Sequence, residues 1–448
     1  MPRASNLGRR SVGQYLVLVS LCFLIAAMPQ GAVAEEEEDS SQALAATIAA
    51  QNSLLSLAAE EEQGGGSGSS SGSSYWKDHF TLHGYLTTAY QELDPDPAAP
   101  NRSAEQFILG LDPEGTFDYR IAALQLRYDP NPKNTFLVQL SHRKLGDSPI
   151  EDAESAVELD WLFYQYSFTD DTSIKLGRFP VAAGIFNEIR DVGVVLPFFR
   201  PSFTFYREGS LFSETVDGIG VSHTFWSQSP WSLDVDAYYG EYDVQEQGGA
   251  TTTQARIIEV EATDAYGIQF WLNTPVNGLR FGLGGATWDL GPESGFNDDE
   301  ANWDSWYASV DGSFAKWVAR AEYRRLDFPI NNQPVFVNTE AEIPIYYLQL
   351  GYHFTDKLSL YAQTEEAQVR QTGAIFLRPL DFTNLADDGL SLVFALRPNI
   401  VFKGEFHQET FELVTGVAFV ITPQGPKLDL SLTEFEDEYF IISASVSF

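Results

Sequence analysis

The last ten residues, Tyr439-Phe-Ile-Ile-Ser-Ala-Ser-Val-Ser-Phe448, alternate strictly. Phe440, Ile442, Ala444, Val446 and Phe448 fall on one side, and Ser443, Ser445 and Ser447 on the other. A period of two belongs to a β-strand with one apolar and one polar face. The pattern recurs toward the N-terminus. Phe80, Leu82, Leu86 and Tyr90 alternate with Thr81, His83, Tyr85 and Thr87, and Trp317, Ala319, Ala321 and Tyr323 with Val318, Arg320, Glu322 and Arg324. About sixteen such strands can be placed, starting near residues 80, 118, 135, 157, 173, 218, 231, 262, 279, 304, 316, 342, 358, 389, 400 and 439.

Alternation suits a soluble sandwich as well as a barrel whose apolar face meets lipid and whose polar face meets a wet interior. The connections separate the two. Short turn sequences such as Asp170-Asp-Thr172, Phe354-Thr-Asp-Lys357 and Arg397-Pro-Asn399 alternate with long acidic or Gly/Pro-containing connections. Both termini fall on the short side. A sandwich has no reason to keep that parity, whereas an outer-membrane barrel does. The expected fold is all-β: a transmembrane antiparallel β-barrel of about 16 strands, with short periplasmic turns and long extracellular loops.

The N-terminus carries an address. Arg3, Arg9 and Arg10 precede an apolar run from Tyr15 to Met28, and Gly31-Ala-Val-Ala34 follows. This is the layout of a signal peptide over residues 1–34, cleaved after Ala34. Residues 35–63 form an acidic and Ala/Leu-rich periplasmic segment, expected to be a short helix with a brief coiled-coil stripe through Leu44, Ile48, Leu55 and Ala58. Residues 64–74 are a Gly/Ser linker, and the barrel occupies 75–448. No stretch is long and apolar enough for a transmembrane helix.

Composition narrows the function. With 63 acidic against 27 basic side chains, the net charge of −36 excludes nucleic acid as a partner. One cysteine, Cys22, excludes a disulfide framework. By parity the inward basic positions are Arg127, Arg143, Lys175, Arg280, Arg320, Arg324, Arg397 and Lys403, and the inward acids Asp234, Asp236, Asp311, Glu322, Glu365 and Glu405. An interior close to neutral in so acidic a chain leaves the surplus acids to the loops. Charges facing a narrow aqueous passage set its ion selectivity.

The third long connection is the richest in chemistry. Arg178, Arg190, Arg200 and Arg207 outnumber the nearby Glu188, Asp191 and Glu208, and guanidinium forks suit carboxylate or phosphate solutes. If the connection folds inward, Arg178, Glu188, Arg190, Asp191, Arg200 and Arg207 form the constriction. Glu322 and the basic positions above then line the pore. The competing expectation for Arg190 is internal pairing with Glu188 and Asp191.

Leu176-Gly-Arg178, Pro180, Gly184, Asn187-Glu188, Arg190-Asp-Val192, Arg200-Pro-Ser202, Tyr206 and Asp217-Gly218 resemble the signature region of a family of Gram-negative outer-membrane porin-like proteins. These are related in layout to the sixteen-stranded, phosphate-selective-type porins. Leu82-His-Gly-Tyr85 and the terminal Phe448, which resembles a barrel assembly signal, add to the likeness. Val181-Ala-Ala183 and Phe203-Thr-Phe205 depart from it. The resemblance implies the fold and a pore, and carries no substrate.

The expected function is an outer-membrane porin, a passive diffusion channel for small hydrophilic solutes with anion preference at an inward-folded third loop. Its partners are outer-membrane lipid and lipopolysaccharide, small anionic or polar solutes, and further copies in a homotrimer. The alternative is a non-conducting barrel, a receptor or adhesin acting through its acidic loops, with Phe198, Phe199, Phe203, Phe205 and Tyr206 packed as a plug. An enzyme is not expected, nor any cofactor or metal. Gly68-Ser-Ser-Ser-Gly72 lies in the linker, without the strand and helix of a nucleophile elbow. Ser141 and His142 face opposite sides, and Asp298-Asp-Glu300 reads as a solvated acidic loop.

Overall fold

A computed structural model describes residues 79–99, 103–149, 154–206, 214–248, 256–292, 297, 299–331, 339–373 and 375–448. The expectations for the signal peptide, the Ala/Leu-rich segment and the linker lie outside these residues. Sixteen strands follow in order: β1 (Phe80–Asp94), β2 (Thr116–Asn131), β3 (Asn134–Leu145), β4 (Glu154–Thr169), β5 (Thr172–Pro180), β6 (Thr215–Phe225), β7 (Ser232–Gly248) and β8 (Arg256–Asn273). The second half holds β9 (Leu279–Leu290), β10 (Ala301–Phe314), β11 (Trp317–Ile330), β12 (Thr339–Thr355), β13 (Leu358–Thr372), β14 (Leu380–Arg397), β15 (Ile400–Thr422) and β16 (Gly425–Ser447). Each pairs antiparallel with its sequence neighbours, and β16 closes on β1. Closure gives each strand a neighbour on both sides around the barrel, while β15 and β16 run on past Thr410 and Glu438 paired with each other.

Alternation decides the two faces. Leu82, Leu86, Leu390, Leu392, Phe402, Phe406 and Ile442 are exposed on the outside, while Thr87, Ser391, Lys403, Ser443 and Ser445 are buried inside. The C-terminal strand behaves as its sequence requires: Leu86 faces Val446 in register, and Gly84 and Phe448 exchange backbone hydrogen bonds of 3.0 Å.

Three strands begin about six residues or more before the alternation suggests: β8 at Arg256, β14 at Leu380 and β16 at Gly425. The last long connection is in fact a continuation of β15 and β16, paired out to Thr422 and Gly425. Among the described residues the loops carry two short α-helices, α1 (Ala104–Ile108) before β2 and α2 (Phe203–Tyr206) before β6, and a 3-10 turn at Asn187–Ile189.

The interior is not uniformly wet. Near the short turns, Arg127, Lys175, Asp234, Asp236, Asn273 and Arg280 are half-buried. Toward the long loops, Val244, Val260, Trp288, Leu290, Trp303 and Leu326 are almost wholly buried and belong to one apolar cluster with Phe163, Phe179 and Val216. Indole rings stacked on the inside of a barrel wall fill space that water would otherwise take. Trp303 lies 3.9 Å from the Phe328 ring, nearly parallel.

Candidate functional site

The third loop leaves β5 at Pro180 and folds into the barrel. Phe186, Phe198, Phe199, Phe205 and Tyr206 are all under 5% exposed: Phe186, Phe205 and Tyr206 pack with Tyr307, Ile345 and Tyr347 of the wall, Phe199 joins the cluster around Tyr119, and Phe198 lies edge-on to His407. Two glycines set its path. Gly177 has φ +120°, and a Cβ there would sit 2.3 Å from the Leu162 carbonyl. Gly184 has φ +70°, and a Cβ would strike Tyr206 and Glu322. Only glycine takes that backbone in that space, so both positions of the signature stretch are geometric.

Beyond Gly184 the wall's charged side chains reach the loop backbone. Gly184 N donates to Gln269 Oε1 (2.7 Å) and Ile185 N to Glu322 (3.0 Å). Glu322 also accepts from the hydroxyls of Tyr206, Ser309 and Tyr347. Glu365 accepts from Ser202 Oγ (2.6 Å) and from Thr204 N (2.7 Å) and Oγ1 (2.6 Å). Arg324 donates to the Phe205 carbonyl (2.9 Å) with its guanidinium 4.2 Å from the Phe205 ring. Lys403 donates to the Phe198 carbonyl (2.7 Å), and Ser391 to that of Pro197 (2.6 Å). Hydrogen bonds to charged groups stabilise by about 1.5–3 kcal/mol each in buried settings. The loop is therefore sewn to β8 and to β10–β15.

Several expected site residues meet here and others do not. Arg190 donates to the Tyr206 carbonyl (2.5 Å) and to Asn187 (3.3 Å), with Glu214 at 4.0 Å; its bonds go to neither Glu188 nor Asp191. Asp191 instead pairs with Arg143, which also holds Glu214 at 2.7 Å. Arg320 and Arg280 share Asp311, each at about 3 Å. Lys175 lies over the Phe163 ring and Arg127 pairs with Asp129. Arg178 is a correction: it stands in register with the exposed Leu162 and forms a two-pronged pair with Asp217 on the outer face (2.9 and 2.5 Å). The strand's parity turns Gly177 and Phe179 inward and Arg178 out. Arg397 is likewise corrected, lying exposed at the turn before β15 rather than along the passage. Arg200 is half-buried near the end of the described loop, and Arg207 and Asp298 lie outside the described residues.

Asp160, Asp191 and Glu214 bring their oxygens within 4.8 Å of one another. Asp160 reaches this place because a bulge sets both Asp160 and Trp161 against Gln139, a shift that alternation cannot reveal. Arg143 and Gln139 already hydrogen-bond the three acids. Burial, and then the Asp191 charge, push the Glu214 carboxyl up to about 8. Burial also raises Glu188, which faces Lys175, Asp236 and Arg280. Sequence reading missed Asp387, His407, Glu409 and Asp437, all buried and pointing inward; the run Lys403, Glu405, His407, Glu409 has the parity that could have found two of them. Beside the loop remains a cavity of about 30 Å³, lined among others by Arg190, Tyr206, Tyr238, Ser305, Tyr307 and Arg324.

No protein-family model matches the chain, and no curated protein matches it. Among solved structures it resembles the outer-membrane-expressed OmpT of Vibrio cholerae, with TM-score 0.50 and 12% identity over 82% of this chain and 97% of that one. The trimer form of OmpT, an outer-membrane protein of Vibrio cholerae, aligns with TM-score 0.50 and 13% identity over 82% and 99%. An anion-selective porin from Comamonas acidovorans aligns at 0.48 and 11% over 82% and 99%. At such identity the likeness to OmpT is one of fold, and the chain has the closed barrel of these outer-membrane proteins.

Proposed function

We propose that the chain is an outer-membrane porin of a Gram-negative bacterium, exported by a signal peptide cleaved after Ala34, that passes small hydrophilic solutes without catalysing a reaction. The observation that carries this reading is a closed wall, apolar outside and charged inside, with a loop folded into its interior. An apolar exterior suits lipid and a charged interior suits water. Lipopolysaccharide and lipid surround it, and a homotrimer is the proposed assembly, in keeping with the trimer form of the OmpT structure. Residues 35–74 are proposed to be separable from the barrel.

Selectivity is the finer part of the proposal. The inward cations are largely engaged as anchors of the third loop or shared with Asp311; Arg190 and Arg324, themselves bonded to the Tyr206 and Phe205 carbonyls, border the cavity beside the loop, and anion preference is assigned to them. The half-buried chamber near the turns holds Lys175 and Arg127 against Asp234, Asp236 and Glu188, which weakens that preference. A second reading, the non-conducting receptor or adhesin, is favoured by one feature: apolar clusters occupy much of the interior around the loop. Conductance of the purified protein in planar bilayers separates the two. The porin reading expects stepwise channels of small conductance and a reversal potential on the anion side at high salt. A barrel that inserts and never conducts would establish the second.

A further inference from the structure

On the outside of β14, β15, β16 and β1 one register row is polar throughout. Asp388 stands opposite Gln408, Gln408 opposite Glu438 and Glu438 opposite Asp94, and all four are exposed. Toward the short turns the outward side chains are apolar, among them Leu390, Leu392, Phe402, Phe406 and Ile442. Charge on the outside of a barrel wall is costly at the depth of hydrocarbon and cheap at the water interface. The row therefore marks the upper edge of the lipid-facing band. Past it β15 and β16 continue as a hairpin, paired with each other out to Thr422 and Gly425. From Phe411 to Thr422 that is about 40 Å of strand.

The two faces of this hairpin differ. On β16 the outward row runs from Glu438, Glu436 and Glu434 on to Leu432, Leu430, Leu428 and Pro426, and opposite the last four stand Val414, Val417, Phe419 and Ile421 of β15. A bulge between Val414 and Gly416 takes up the change of parity on β15. The other face sets Gly416, Ala418, Val420 and Thr422 against Ser431, Asp429, Lys427 and Gly425. Val414, Val417, Phe419 and Ile421 are 46, 61, 73 and 81% exposed. The tip is braced: Leu377 N donates to the Leu428 carbonyl and Leu428 N to that of Ile375, both at 2.8 Å. A contiguous apolar face held out in water marks an interaction site.

We propose that the hairpin is a self-docking surface, on which the Val414, Val417, Phe419 and Ile421 face of one chain packs against the same face of a second copy. Hydrocarbon of the chain's own membrane lies on the far side of the polar row, and Leu432 stands about 20 Å of strand beyond Glu438. A cationic partner would be drawn to the acidic loops. From Leu413 to Thr433 the charged residues are Lys427 and Asp429 alone, opposite in sign and on the other face. Two chains of net charge −36 repel wherever their acids meet. Exposed charges act over about 8–10 Å at ordinary ionic strength, so uncharged surface beyond that range is where like-charged copies can touch. Neighbours in one membrane carry this face at the same height, as a contact between identical patches requires. The contact is independent of whether the passage conducts.

Photocrosslinking of the full chain in intact cells tests this, with benzoylphenylalanine placed at position 419 on the apolar face or at position 420 on the opposite face. The expected product from position 419 is an adduct of twice the chain's mass that contains this chain alone, with a several-fold lower yield from position 420. Adding Ile421→Asp, which sets like charges against each other in the contact, should lower the yield from position 419 several-fold while the barrel still migrates as folded before heating. Equal yields from the two positions would overturn the proposal, as would a yield that Ile421→Asp leaves unchanged. So would the absence of an adduct from position 419, or one made chiefly with lipopolysaccharide or with a different protein.

Discussion

Glu322 and Glu409 are the same residue type, both inward and both nearly wholly buried, yet their surroundings differ completely. Glu322 accepts hydrogen bonds from three hydroxyls and the Ile185 N–H, and Arg324 lies close by. Glu409 stands opposite two further acids, Asp387 and Asp437, and meets the Ser103 and Gln106 side chains at the start of α1. A buried charge surrounded by donors fixes a conformation, whereas like charges opposed in one register row work against it. The β8–β13 side of the barrel is thus an anchor for the third loop, and the β14–β16 side combines anchoring bonds from Ser391 and Lys403 with a row of crowded acids.

The largest expected effect breaks the anchored side. Glu322→Ala strips the acceptor from Tyr206, Ser309, Tyr347 and Ile185, and should cost the loop's attachment about 3–5 kcal/mol. Protease cleavage within the third loop, absent in the parent, should then appear. Glu365→Gln keeps the shape and loses only the charge on the bonds from Ser202 and Thr204, so about 1–3 kcal/mol is expected in the same assay.

A pH effect sharpens the comparison at the loop's far end. The Glu214 carboxyl is raised from 4.5 to about 8 in the folded protein, first by burial and then by Asp191. Between those values the folded state binds more protons than the unfolded, so stability is full at low pH and falls as pH rises toward 8. Hydrogen exchange in the loop should speed up from pH 5 to pH 8, beyond the intrinsic trend, and Glu214→Gln should flatten the dependence. The smallest effect belongs to Arg178, whose half-exposed outer pair with Asp217 contributes about 0.2–1 kcal/mol. Arg178→Ala should leave ion selectivity unchanged, since the side chain faces away from the passage. A shifted reversal potential would contradict that placement.

The barrel was legible because alternation needs only residue order: Phe440 to Phe448 could be assigned to faces without any partner. The site was legible in part. Glu322, Arg324 and Lys403 were placed inward by parity, but nothing in the sequence says that their charges would meet loop carbonyls and amides instead of solutes. Arg178 was misplaced because its neighbours Gly177 and Phe179 share the inward face and the loop begins only after Pro180. Asp437 fell among the surplus acids left to the loops, since the run Glu434-Phe-Glu-Asp-Glu438 breaks the alternation, and Asp387 was assigned to neither face. Asp160 was beyond reach, because a bulge shifts parity by one residue.

The central claim is that charged wall residues hold the third loop inside the barrel and so set the size of the passage. Single-channel conductance of the parent and of a Glu322→Ala/Glu365→Ala variant, in the same bilayer and salt, tests it most directly. The account predicts small steps for the parent and several-fold larger, noisier steps for the variant, because the loop swings away from β10–β13. Equal conductance in a variant whose loop has become cleavable would contradict it, showing that the passage is set elsewhere.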